Sequence, residues 1–229
     1  MIKTVIFDLD GLLINSEPLW HRAEEAAFAD VGIVLTPQMS LHNTGLRINE
    51  VVAMWHTVFA NSWKGKSPEA VTNDILDRLL HLLSTEATLM DGAAELLDFF
   101  RQMDVNLAIA SSSPTKIIAA ALSKFGLSSY FHTTVSAQHL PYGKPHPAVF
   151  LETADFFDTP PIQCLVFEDS FNGLIAAKAA QMKTVVVPSA EQYKQTRFDI
   201  ADLKLPSLAL FSKQHWQVLQ HSSIDTFQS

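Results

Sequence analysis

At 229 residues, 48% of them hydrophobic and 17% charged, the chain is long enough for one domain, or for a domain with an inserted partner, and too apolar for a disordered or fibrous protein. Its net charge of −8, with no block of Lys or Arg, argues against a nucleic-acid or anionic-membrane surface. No apolar run is long enough to span a bilayer, and the single cysteine, Cys164, cannot close an intrachain disulfide.

The first predicted element is a buried strand over residues 3–9, in which Val5-Ile6-Phe7 runs straight into Asp8-Leu9-Asp10-Gly11. That break in the apolar run argues against a signal peptide. Alternate strand positions share a face, so Asp8 and Asp10 converge at the strand's end. Two carboxylates that close repel unless a cation sits between them, and a hard divalent ion with oxygen ligands, Mg²⁺ above all, fits the pair. The interval 16–87 holds no strand pattern but three helical ones. Ser16 caps the first, which Pro18 enters early and which ends near Gly32. The second covers 48–59, with Val51, Val52, Trp55 and Phe59 at helical spacing; the third starts at Ser67-Pro68-Glu69 and carries Val71, Ile75, Leu79 and Leu83. Four more apolar runs, at 106–110, 133–136, 164–167 and 184–187, alternate with helical segments. Such alternation predicts an α/β fold with a doubly wound parallel sheet, and the interval 16–87 reads as a helical cap inserted into a core of 1–15 and 88–229. Cys164, in one of the apolar runs, reads as a small core residue, and a reducing, cytoplasmic setting fits it. After about residue 222 the tail is polar and reads as frayed.

Ligands bind at the carboxyl ends of strands in such sheets, and three later segments fit the same site. Leu107-Ala108-Ile109-Ala110 leads into Ser111-Ser112-Ser113-Pro114, Leu140-Pro141-Tyr142-Gly143 into Lys144-Pro145-His146-Pro147, and Cys164-Leu165-Val166-Phe167 into Glu168-Asp169-Ser170. Carboxylate pair, serine, lysine and acidic pair, in that order, resemble the four motifs of the haloacid dehalogenase superfamily of phosphatases and phosphomutases. The resemblance covers nearly the whole chain. Within that superfamily the stretch from Asp8 to Trp20 looks most like the phosphatases of 2-deoxyglucose 6-phosphate and hexitol phosphates, with β-phosphoglucomutase a close cousin.

Phosphate monoesters resist hydrolysis strongly enough that covalent catalysis through a carboxylate is worth expecting, and Asp8 is the candidate nucleophile. The resemblance implies that it becomes a transient aspartyl phosphate. Asp10 is then general acid and general base, its backbone carbonyl a metal ligand by the same resemblance, and Leu9 between the two lies against the phosphate. Ser111 and Ser112 are assigned to the phosphate, beside amides at a helix start, and Ser113 to capping or to support of the site. Lys144, in a loop stiffened by prolines, balances Asp8 and the transferred group, and His146 is structural. Asp169 is the second acidic metal ligand and Glu168 an outer partner; together with Asp8 they would hold Mg²⁺. Thr44-Gly45-Leu46-Arg47 matches a cap loop that faces the active site in this family. Arg47 either meets sugar hydroxyls, holds the cap closed or sits on a helix surface. Glu17 and Trp20 belong to the substrate side by resemblance, with Trp20 either covering the sugar or filling the cap core.

What the resemblance implies is a Mg²⁺-dependent phosphatase of small sugar phosphates, of the hexose 6-phosphate, 2-deoxyglucose 6-phosphate or hexitol phosphate type, acting as a monomer in the cytoplasm. A phosphomutase is the alternative; the cousin mutase has a histidine at the position of Trp20, with His21 about one helical step away, which favours hydrolysis. A retired enzyme serving as a binding module is a third reading, opposed by the complete set Asp8, Asp10, Ser111, Lys144 and Asp169. Three departures from relatives bear on the hinges: Asn15 in place of a common aspartate, Asp91-Gly92 in place of Pro-Gly, and Gln181 where a glycine often ends a helix. A left-handed turn at Gln181 would be strained.

Overall fold

A computed structural model describes residues 1–221; the polar tail lies outside them. Among the described residues six parallel strands form one sheet: β1 (Thr4–Phe7), β2 (Asn106–Ser111), β3 (Thr133–Ser136), β4 (Cys164–Glu168), β5 (Lys183–Val186) and β6 (Leu203–Lys204), in the order β3-β2-β1-β4-β5-β6. The expected α/β class and doubly wound sheet are therefore observed. Strand β6 had no sequence signal, because two half-buried residues carry no period.

The apolar runs are continuous because both faces of the sheet are covered. On one face Val5, Phe7, Ile109, Leu165 and Phe167 pack with the helices α5 (Ala93–Arg101), α6 (Thr115–Phe125) and α9 (Lys213–His221). Phe7 and Phe167, paired in register across β1 and β4, stack at 5.0 Å. On the other face Ile6, Ala110, Cys164 and Val166 meet α7 (Ala148–Phe156) and α8 (Phe171–Ala179). Cys164 is a buried core residue, and burial pushes its thiol up to about 12, which rules it out as a thiolate.

Of the five helices between β1 and β2, four precede the return to the core at residue 88: α1 (Glu17–Asp30), α2 (Pro37–Asn43), α3 (Ile48–Val58) and α4 (Pro68–Glu86). Sequence periodicity finds three. The short α2 has too few residues to show a period, although Thr36 before Pro37 is a helix-start signal, and the Thr36 hydroxyl does accept from Met39 N–H. Helix α4 packs along α1 and α3 and reaches α6. The chain leaves β1 and returns from α4 through paired segments: Met90 N–H donates to the Leu13 carbonyl, Asn15 N–H to Thr88, and Ile14 bridges Leu89.

Gln181 does adopt the left-handed turn, at φ +61°. Its N–H donates to Lys178 and the Met182 N–H to Ala177, the pair of bonds that closes a helix with a left-handed residue. A side chain there is strained, so Gln181→Gly is expected to stabilise the protein by roughly 0.5–1 kcal/mol, read as a raised urea midpoint; a lowered midpoint would show that the side chain contributes packing instead.

Candidate active site

Parallel pairing of β1 with both β2 and β4 puts the ends of all three strands at one edge. In the order observed, β1 and β4 flank the point where the winding reverses, the place at which open α/β sheets bind ligands. Asp8 follows β1, Ser111 ends β2, and Glu168 and Asp169 end and follow β4. The Lys144 ammonium reaches the same point, at 2.7 Å from Asp8 Oδ1, 2.5 Å from Glu168 Oε1 and 3.3 Å from the Ala110 carbonyl.

This cluster is almost dry. Asp8 is 7%, Glu168 0% and Lys144 2% exposed. Burial lowers the affinity of Lys144 for its proton, but Asp8 and Glu168 outweigh it and hold the ammonium charged beyond its ordinary range. Burial pushes Asp8 up to about 8, aided by Glu168 and Asp10 and opposed by Lys144. Asp169 is likewise raised well above the carboxylate range, by burial first and then by Glu168. One lysine is too little positive charge for three carboxylates.

The donor set suits a hard cation. Oxygens of Asp8, Glu168 and Asp169 lie within 4.8 Å of one another, and oxygen-only ligands favour Mg²⁺ or Ca²⁺. Glu168 is already heavily engaged: Oε1 takes Lys144, and Oε2 accepts from Asp169 N–H, Ser170 N–H and the Ser170 hydroxyl. It acts as the brace that fixes Lys144 and the turn after β4. Two glycines make the packing possible. A Cβ on Gly173 would lie 1.8 Å from Glu168 Oε1, and one on Gly11 (φ +75°) 2.2 Å from Asp169 Oδ2.

Asp10 is held by three donors, two from the start of α1 and one from the loop before α6. Oδ1 accepts from the Ser16 hydroxyl at 2.7 Å and the Trp20 indole N–H at 2.9 Å, and Oδ2 from the Ser113 hydroxyl at 2.7 Å. Ser16 therefore does not cap α1 with its side chain, and Ser113 does not cap α6, whose cap position is Pro114. Their hydroxyls donate to the Asp10 carboxylate instead, and hydrogen bonds to a carboxylate are stronger than those between neutral groups.

Other sequence expectations land differently. Ser111 Oγ accepts from Ser113 N–H, and Ser112 donates its proton to the Gly45 carbonyl. The Leu9 side chain is fully buried, so the backbone is what Leu9 offers a ligand. Arg47 does not line the cavity. Its guanidinium donates to the carbonyls of Ala137 (3.2 Å), Leu140 (2.8 Å) and Pro141 (3.5 Å) and pairs with Glu50. Of the roles open to it, latching the helical insertion onto the core is the one its geometry serves; meeting the substrate is not. Asn172 Nδ2 to the Thr44 carbonyl is another such latch, at 2.9 Å.

Above the cluster lies a cavity of about 410 Å³. Glu17, Trp20, His21 and Glu24 of α1 line it, at the i, i+3, i+4, i+7 positions of one helix face. That spacing was readable in the sequence, yet Glu24 and Asn43 escaped it, because a buried glutamate on a helix resembles a solvated one until its neighbours are known. Burial pushes Glu24 up to about 7, lowered in part by the Asn43 hydrogen bond and raised by Glu17. The unfolded chain releases this proton near 4.5 and the folded one near 7, so the folded state binds the extra proton across that window and loses stability as pH climbs through it. Glu24→Gln is expected to gain on the native protein by something on the order of 3 kcal/mol between about pH 4 and about pH 8. Urea unfolding of both at the two pH values measures it, and an unchanged difference would refute the shift.

A doubly wound sheet thus gathers Asp8, Lys144 and the acidic pair Glu168 and Asp169 at its switch point. Residues 2–181 match the model of the haloacid dehalogenase-like hydrolases, and the chain belongs to that family of enzymes. It is 39% identical to hexitol phosphatase B of Escherichia coli K12 over 208 residues, 90% of this chain and 93% of that protein. It is 28% identical to a phosphorylated carbohydrates phosphatase of Thermotoga maritima, over 80% of this chain and 84% of that one. The β-phosphoglucomutase of Clostridium difficile shares the fold, with a TM-score of 0.84 at 23% identity, over 97% of this chain and 98% of that one. CbbY of Rhodobacter sphaeroides, solved in complex with xylulose-1,5-bisphosphate, has a TM-score of 0.79 at 26% identity, over 92% and 96%. Among the described residues no helix is long and apolar enough to cross a membrane.

Proposed function

We propose that this enzyme is a Mg²⁺-dependent phosphatase of small sugar monophosphates, of the hexitol or hexose 6-phosphate type, working in the cytoplasm through an aspartyl phosphate on Asp8. The observation that carries the reading is Asp8 on a dry floor beside Lys144, under a cavity whose wall holds Asp10 by three hydrogen bonds. Residues 16–87 act as the cap and 1–15 with 88–229 as the catalytic core. The 39% identical relative named for hexitol phosphates supports the substrate class.

In the first half-reaction an Asp8 carboxylate oxygen attacks phosphorus and the ester P–O bond breaks. Asp10 gives its proton to the departing sugar oxygen. In the second, Asp10 takes a proton from water as that water attacks phosphorus, and phosphate leaves with Asp8 restored. Lys144 opposes the burial that favours the protonated form of Asp8 and meets the charge of the transferred group. Ser16 and Ser113 suit both stages, since a hydroxyl that donates to the Asp10 carboxylate can rotate and accept from the protonated acid. Asp8, Asp169 and the Asp10 carbonyl would hold the metal, with Glu168 outside them. Bound there, a divalent cation supplies the positive charge that Lys144 alone does not.

Phosphate release from hexitol 6-phosphates, glucose 6-phosphate and 2-deoxyglucose 6-phosphate tests the proposal. Activity is expected with Mg²⁺, a fall of roughly 10²-fold or more with EDTA, and recovery on adding Mg²⁺ back. Isomerisation of a hexose 1-phosphate without phosphate release would replace it with the mutase reading. Binding of a partner with no turnover on any ester would replace it with the retired module.

A further inference from the structure

We infer that the wall of the active-site cavity built by Glu24 of α1 with Asn43 of α2 selects a neutral polyhydroxylated leaving group and turns away substrates that carry a second phosphate or a carboxylate. The inference rests on the phosphatase reading above and names the substrate class within it.

The wall is a directed chain of hydrogen bonds. The Trp55 indole N–H donates to Asn43 Oδ1 at 3.0 Å, and Asn43 Nδ2 donates to Glu24 Oε2 at 2.8 Å. An indole nitrogen can only donate, so it fixes which way the Asn43 amide faces, and the amide in turn presents N–H to Glu24. Glu24 is 7% exposed and lines the cavity. An ionised carboxylate held from behind by a donor has only acceptor capacity left to show a ligand. The hydroxyls of a sugar or polyol answer that need, and an anionic group does not.

The charge inventory points the same way. Among the described residues the cavity is lined by six carboxylates and two basic side chains, Lys144 and His21. Lys144 is engaged on the floor by Asp8 and Glu168. Arg47, the cap guanidinium that a second phosphate would want, is turned onto the carbonyls of Ala137, Leu140 and Pro141 and onto Glu50. The N-terminus of α1 opens on the cavity but carries Glu17 in its first turn, a carboxyl that competes with an incoming anion for that helix end. Glu24 is itself pushed up to about 7; a wall that holds its own carboxylate so poorly holds a phosphate dianion worse. The CbbY complex with xylulose-1,5-bisphosphate indicates that this fold can admit a second phosphate, so the exclusion belongs to side chains and not to architecture. It also bears on the mutase alternative, because moving a phosphoryl group between two hydroxyls of one sugar through an enzyme phosphate passes through a bisphosphate.

The test is kcat/KM at about pH 8, with Mg²⁺, for sorbitol 6-phosphate, fructose 1,6-bisphosphate and 6-phosphogluconate, on the native enzyme, Glu24→Gln and Asn43→Ala, with p-nitrophenyl phosphate as a turnover control on the native enzyme. The native enzyme is expected to favour sorbitol 6-phosphate over both anionic substrates by roughly 10²-fold. Glu24→Gln is expected to narrow that ratio by roughly tenfold or more, losing on the hexitol and gaining on the bisphosphate, and Asn43→Ala to narrow it in the same direction while leaving the circular dichroism spectrum intact. A native enzyme that cleaves p-nitrophenyl phosphate but takes the bisphosphate as readily as the hexitol phosphate would overturn the inference and leave the phosphatase reading standing. So would an unchanged ratio in both variants. Failure to cleave any ester, p-nitrophenyl phosphate included, would bring down the phosphatase reading and this inference with it.

Discussion

Asp8→Asn is expected to fold as well as the native protein and to lose turnover by roughly 10⁴–10⁶-fold, the scale seen when a covalent nucleophile is removed. The substitution keeps the shape of the side chain. The amide oxygen that replaces Asp8 Oδ1 can still accept from Lys144, which lies 2.7 Å from that position. What disappears is the anionic oxygen that attacks phosphorus. It is also a negative charge on a floor already short of positive charge, where burial and Glu168 push Asp8 up to about 8. The metal-free variant should therefore unfold at the same urea concentration as the native protein or a higher one. That pairing separates chemistry from stability: a folded, inert protein supports Asp8 as the nucleophile, whereas phosphate release within tenfold of the native rate would exclude it. Mg²⁺ should also bind the variant more weakly, since a neutral amide replaces an anionic ligand.

Lys144→Met should be the most damaging single substitution for stability near the site. The side chain is 1% exposed, and its ammonium pairs with Asp8 and Glu168 beneath the Phe150 ring. Methionine fills similar volume, so packing is largely kept. The loss is electrostatic: Asp8, Glu168 and Asp169 are left together with no lysine among them. Breaking a buried pair by removing one partner costs about 3–5 kcal/mol, because the remaining charge is left without compensation. The carboxylates can escape part of that by taking up protons, so the deficit should grow with pH, and added Mg²⁺ should recover part of it. Urea unfolding without metal at about pH 6 and about pH 8, then with Mg²⁺, measures all three. A loss under about 1 kcal/mol at both pH values would contradict the claim that Lys144 neutralises this floor.

Strands β1, β2 and β4 were legible because a strand covered on both faces has to be apolar throughout, and runs such as Val5-Ile6-Phe7 and Cys164-Leu165-Val166-Phe167 admit few other readings; β3 (Thr133–Ser136), at the sheet's edge, is half-exposed and not the buried strand expected of it. The candidate site was legible for the same reason in reverse: charge at the end of such a run has nowhere to go except the sheet's edge. The short elements α2 and β6 were not legible, since seven and two residues give a period no room to repeat. Gln181 was marked by its position alone, and its φ of +61° agrees.

The sequence by itself put Asp8, Ser111, Glu168 and Asp169 in one place, because parallel strands all end at the same edge, and the resemblance of its motif order added Lys144 to them. Tertiary structure alone decided where the hydrogen bonds point. Ser16 and Ser113 serve Asp10 in preference to the helices they precede, Trp20 gives its N–H to the same carboxylate, Arg47 turns onto the core's carbonyls, and Trp55 through Asn43 aims Glu24 into the cavity. Most of these bonds join groups far apart in the chain, and those of Trp20, Arg47, Asn43 and Trp55 depend on how the helices of the insertion settle on one another and on the sheet. Local periodicity records which face of an element is buried; it does not record what that face meets.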